Sequence, residues 1–217
     1  MKRYAGALLL TFSFFGAHAA FSDETKEPEA EPTGWPSSIV PSEKQLKSLS
    51  EPDLSSPPAK GVVDIRFIWV PTFHQPISIR ATKSGDSAEL TIVRMKGKGG
   101  YDWGDIEQRK KKPITEAQWK ELEELIAVEG ARKPSLKAAD YLRKNWVEIM
   151  SGLDGSQWFL EVRGAAGYTV EGVPNPIVSD PVRAKVLKED SGLDLAPFLA
   201  ACFKLFDLSG LESRPDY

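Results

Sequence analysis

The chain has 217 residues, 28 Lys and Arg against 31 Asp and Glu, a formal charge of −3, two His and a single Cys. One Cys excludes an intramolecular disulfide, so the fold must be held by its core. Near-neutral charge lacks the concentrated positive potential that phosphate backbones require, so nucleic acid is not an expected partner.

Residues 1–19 read as a signal peptide. Lys2 and Arg3 form a basic start, Ala5 to Gly16 is apolar, and Ala17-His18-Ala19 is a small-x-small cleavage site. The apolar stretch is shorter than the ~20 residues a membrane-spanning helix needs. The expected product is exported, periplasmic or secreted, with no membrane span after cleavage. Losing Lys2 and Arg3 takes the formal charge from −3 to −5. Residues 20–60 hold eight acids and four Lys, and seven Pro lie between Pro28 and Pro58. That composition predicts a disordered acidic linker acting as a spacer. Within it, Pro41 to Leu49 predicts one short helix capped by Ser42.

The globular domain is expected over 61–217, long enough to bury ~70% of its unfolded surface. Val63, Ile65, Phe67 and Trp69 alternate with Asp64, Arg66 and Ile68, a strand with one strongly apolar face. Ile77-Ile79-Ala81 and Ala88-Leu90-Ile92 repeat the pattern around a Ser84-Gly85-Asp86 turn. Lys96 to Gly100 reads as a Gly-rich loop, and Tyr101 to Lys112 as an edge strand ended by Pro113. Arg109 to Lys112 is either a polyanion patch or a strand edge guarded by cations against further pairing.

Thr115 and Gln118 form a capping box, Ile114 and Trp119 a hydrophobic staple, and Trp119, Leu122, Leu125 and Ile126 one apolar helical face. A second helix is expected over Ser135 to Met150, with a strand from Trp146 as the alternative. Ser-Gly-Leu-acid recurs at 151–154, 191–194 and 209–212. Its glycines suit the left-handed position just past a helix end. Further helices are expected from Asp180-Pro181 to Gly192 and from Asp194 through Phe206, with Cys202 as core filler.

Ser156 to Gly172 is the strongest hairpin signal, two alternating runs around Gly-Ala-Ala-Gly. Trp158, Leu160 and Val162 share one side, expected to lie beneath helices. Gln157, Phe159, Glu161 and Arg163 share the other, which reads as a solvated face or a ligand surface. From SGLDGSQW, the Thr-capped helix before it and the Phe/Leu-rich helix after it, the chain resembles a group of uncharacterised exported bacterial proteins with a GLDG-x-x-W hairpin. The resemblance covers Arg66 to Leu211 and implies strands, a helix, the hairpin and a final helix, but no activity. The segment between Gly130 and Gly152 is more basic and helical than that pattern.

The mature chain keeps one His, His74, between Phe73 and Gln75 in a Pro-flanked loop, and no metal ligand set or cofactor motif stands out. No catalytic residue can be assigned. Together these features predict an α+β domain, one antiparallel sheet of five or six strands with helices packed on one face. The expected function is a non-enzymatic binding module for an envelope protein or small ligand. Its candidate contact residues are Tyr101, Trp103, Arg66, Glu161, Arg163 and Tyr168. The alternatives are a cofactor-independent hydrolase using carboxylates such as Glu161 and Asp154, or a structural envelope protein.

Overall fold

Period-two alternation builds the sheet, and capping chemistry places the helices. The computed structural model describes residues 40–100, 102–131, 155–174 and 194–212. In chain order these form α1 (Glu43–Leu49), β1 (Val62–Pro71), β2 (Ile77–Ser84), β3 (Ser87–Met95), β4 (Ile106–Pro113), α2 (Glu116–Ala131), β5 (Ser156–Gly164), β6 (Gly167–Pro174) and α3 (Ala196–Ser209). The six strands make one antiparallel sheet in the order β4-β3-β2-β1-β5-β6. The fold is α+β, as the sequence predicts.

The helix-side face is the larger core. Ile65, Phe67 and Trp69 of β1, Ile79 of β2, Leu90 and Ile92 of β3, and Trp158 and Leu160 of β5 pack against Trp119 and Leu122 of α2 and Phe198, Cys202, Leu205 and Phe206 of α3. Trp158 and Leu160 are buried, and Val162 packs at the margin of the same cluster. The inward side of the hairpin is therefore the expected one. Both halves of the α2 capping box form, with Thr115 N–H donating to Gln118 Oε1 at 2.9 Å and Gln118 N–H to Thr115 Oγ1 at 3.2 Å. The staple residues Ile114 and Trp119 both enter the core. Gly210 ends α3 in the left-handed conformation, φ 72°.

The opposite face is covered too, and here the sequence reading needs correction. Residues 41–60, expected as part of a disordered linker, lie on the sheet. Ser42 caps α1 in a full capping box with Gln45. Leu46 and Leu49 of α1 pack on Ile68 and Val70 of β1, Val93 and Met95 of β3, and Phe159 of β5. Leu54 is completely buried. Burying such a leucine contributes about 1.5–3 kcal/mol, and a segment that buries three of them has reason to stay down. The segment before the expected boundary at Gly61 therefore belongs to the packed domain. At Gly61 (φ 77°) the chain takes a conformation that side-chain-bearing residues resist, and Val62 N–H closes the turn on Ala59 O at 3.0 Å. The segment is thereby turned back over the strand that follows it.

β4 starts at Ile106, five residues later than expected. The intervening loop folds against itself and its neighbour: Gly97 lies so close to the Asp102 carbonyl, and Gly99 to the Pro71 carbonyl, that neither has room for a side chain. The helices expected over 135–150 and 180–192 lie outside the described residues.

Candidate functional site

Strand register brings four of the six candidate residues together on the face opposite α2 and α3. One row across the sheet is Lys111–Thr91–Arg80–Arg66–Glu161–Val170, and the next is Pro113–Glu89–Thr82–Asp64–Arg163–Tyr168. Arg66 and Glu161 are cross-strand partners, as are Asp64 and Arg163. Side chains on one face of directly paired residues meet, so opposite charges in this register form ion pairs without bending the backbone.

The pairs are made and they are buried. Arg66 Nε donates to Glu161 Oε2 at 2.6 Å, with Arg66 fully buried and Glu161 1% exposed. Tyr168 Oη donates to the other carboxylate oxygen, Glu161 Oε1, at 2.8 Å. Arg163 grips Asp64 Oδ2 through Nε at 3.0 Å and Nη2 at 2.5 Å. Thr82 Oγ1 donates to Asp64 Oδ1 at 2.6 Å, and Arg80 Nη1 lies 3.4 Å from the same oxygen. The expectation of a solvated outer face is thus corrected: the ion pairs exist, but residues 50–56 shut out the water.

That strap is held by arginines. Glu51 brings its carboxylate 2.7 Å from Arg80 Nε and 3.5 Å from Arg66 Nη1. Arg66 Nη1 also donates to Pro52 O at 2.6 Å, and Arg163 Nη1 to Ser56 O at 3.3 Å. At the end of α1, Arg109 Nη2 donates to Leu49 O at 2.7 Å and Ser50 O at 3.0 Å. A cation there answers the carbonyls that a helix C-terminus leaves unpaired. Four strands, β1, β2, β4 and β5, each supply one arginine to the strap.

The charges of this network balance. Arg66, Arg80 and Arg163 face Glu51, Asp64 and Glu161, three against three, and the strap contributes only Glu51. Pairing is incomplete at one point: Arg66 Nη2 and Glu51 Oε1 are buried with no hydrogen-bond partner among the described residues. Burial pushes the Asp64 carboxyl up, but the Thr82 hydroxyl and the Arg163 guanidinium outweigh it and hold the group below the usual carboxylate range. Burial, and then the Glu161 charge, push the Tyr168 phenol up, so it stays a hydrogen-bond donor.

Asp64 carries a pH consequence. Its pKa is depressed in the folded chain, so on acidification the unfolded chain takes up the proton first. The stabilisation it brings is complete above about pH 4 and is lost as pH falls through the lowered folded value. Urea midpoints measured from pH 6 down to about pH 2.5 should show a shallower acid limb in Asp64→Asn; an unchanged limb would contradict this role.

Of the other two candidates, one sits apart from the network and one is not among the described residues. Trp103 is half-buried, packed with Ile106 against the α1 cluster, and its indole N–H donates to Gly99 O at 2.7 Å. It folds over the sheet instead of projecting from it. Tyr101 lies outside the described residues, as does Asp154. Sequence reasoning missed Glu51, Asp64, Arg80 and Thr82. A usable signal was Ile68, Val93 and Phe159, apolar residues that the strand period puts on the supposedly wet face.

The basic run divides. Arg109 and Lys111 point to the strap side, the latter paired to Glu89 at 2.6 Å, while Lys110 and Lys112 share the face of Ile92 and Leu90. A strand cannot present four consecutive cations to one partner, which favours the edge-guarding reading over a polyanion patch. His74 is an exposed loop residue with its ring stacked on Trp69 at 6.3 Å. Among the described residues there is no group of three or more His, Cys, Asp or Glu that could hold a metal ion, and no helix long and apolar enough to cross a membrane. Cys202 is buried, as expected of core filler.

Compared with known proteins, no family model matches the chain and no curated protein is found to be similar to it.

Proposed function

We propose that the chain is an exported, non-enzymatic binding module, working in the periplasm or after secretion. The observation that carries this reading is that the polar sheet face holds an irregular segment, residues 50–56, through arginines aimed at a carboxylate and at main-chain carbonyls. Guanidinium donors on a carboxylate and on main-chain carbonyls make charge-assisted hydrogen bonds, among the stronger polar contacts by which a peptide is held. The export address is supported by the basic start, the short apolar run and the Ala17-His18-Ala19 site, and by the resemblance around SGLDGSQW.

Glu161 is poorly suited to the hydrolytic alternative. Both its oxygens are engaged, one by Arg66 and one by Tyr168, and it is shut off from water, whereas a catalytic acid or base must reach its substrate. Photo-crosslinking residues placed singly at Asp53, Phe73 and Lys98 of the full chain in its own envelope test the binding reading. A discrete adduct from at least one position is expected. No adduct from any of them, with hydrolytic turnover that Glu161→Gln abolishes, would replace binding with catalysis.

A further inference from the structure

We propose that the groove under the strap is a binding site for an acidic segment of a partner protein, for which the strap is the resident intramolecular occupant. The inference deepens the binding-module reading and names the class of partner. Without the strap, the ion-pair network keeps three arginines, Arg66 buried and Arg80 and Arg163 half-buried, against two carboxylates, Asp64 and Glu161, a net charge of +1 for these five residues. Such a surface seeks one anion, and burying it uncompensated is costly. Glu51 supplies that anion with Arg80 on one side and Arg66 on the other.

The occupant defines what fits. Leu49 and Leu54 are completely buried, Glu51 stands two residues after the first and three before the second, and Pro52 turns its carbonyl to Arg66. Ser50, Asp53, Ser55 and Ser56, by contrast, are exposed, and Ser50 and Ser56 meet the sheet only through their carbonyls. The recognised pattern is therefore Leu-x-Glu-Pro-x-Leu, leaving a helix end at Leu49 through a left-handed Ser50. The fit of the resident segment leaves room for improvement, because Arg66 Nη2 is fully buried without a partner. A segment that brought one more acceptor to this donor would bind more tightly than the strap does.

Exchange is controlled by the tether. Residues 57–61 join the strap to β1, so it competes at the high effective concentration of a short linker, in the millimolar range. A partner sees only the fraction of chains in which the strap has lifted, and its apparent affinity falls by that fraction. Cutting the tether should abolish this handicap without touching any residue of the groove.

The test uses the full mature chain with a protease site replacing the exposed Ala59-Lys60, cut after folding, and a fluorescent peptide of residues 40–58 as probe. The cut chain is expected to take up the peptide saturably, the uncut chain at least 10-fold more weakly, and peptides with Glu51→Gln or Leu54→Ala at least 10-fold more weakly than the parent. Equal uptake of the Gln and Ala peptides would overturn the stated recognition pattern. No uptake by the uncut chain at about 1 mM peptide would overturn exchange with a partner. Loss of near-ultraviolet dichroism when the cut strap is diluted away would make the strap an indispensable part of the fold and overturn the proposal. None of these results depends on the crosslinks at Phe73 or Lys98, so the two readings fail separately.

Discussion

Replacing Arg66 with Met should destabilise the domain by about 3–5 kcal/mol, the usual consequence of leaving a buried carboxylate without its cation. Arg66 is fully buried and holds Glu161, Glu51 and the Pro52 carbonyl at once. A charge of this kind stabilises the fold mainly through what its removal exposes. The combined variant Arg66→Met, Glu161→Leu, Tyr168→Phe should therefore regain most of the loss. It deletes a cation and an anion together, leaves Glu51 with Arg80 and Asp64 with Arg163, and removes the phenol that would otherwise lack an acceptor. Urea unfolding of the single and combined variants measures both effects. A loss below about 1 kcal/mol in Arg66→Met would mean that the network is open to water, since exposed pairs contribute that little.

The second large effect is on the other face. Trp158→Ala should cost about 3–5 kcal/mol, as removal of a fully buried aromatic does. The Trp158 ring lies 5.0 Å from Phe67 and 5.6 Å edge-on from Phe203, and its N–H donates to Ser156 Oγ at 2.9 Å. β1, β5 and α3 all meet at this side chain. Trp103→Ala, at a half-buried position, should cost less than half as much by the same measurement. Reversal of that order would place the core on the wrong face of the hairpin.

These two variants also mark what could be read from the sequence. The side of β5 that carries Trp158 was legible because strand residues alternate strictly, and neighbouring strands repeat the alternation with Phe67, Ile79 and Leu90. The helix starts at Ser42 and Thr115 were legible because capping boxes are local chemistry. The strap was not. Its composition, Pro, Glu and Ser with a few scattered leucines, is that of a disordered linker, and burial of Glu51 depends on arginines from β1 and β2 that no local pattern connects to it. Arg66, Glu161, Arg163 and Tyr168 were found as a group because register alone unites them. That they are sealed from water follows from the strap, whose carbonyls at Pro52 and Ser56 meet Arg66 and Arg163, a tertiary contact that strand register does not announce. The same alternation explains why the four cations of β4 do not act together: consecutive residues on a strand face opposite ways.

The account stands on the closure of the polar sheet face by residues 50–56. Thiol reactivity measures it directly, because Cys202 is buried and supplies a silent background. Leu54→Cys should react with a soluble disulfide reagent at least about 100-fold more slowly than Ser55→Cys, its exposed neighbour, corresponding to roughly 3 kcal/mol for lifting the strap. Equal rates at the two positions would show that the strap does not close the face, and would contradict the account.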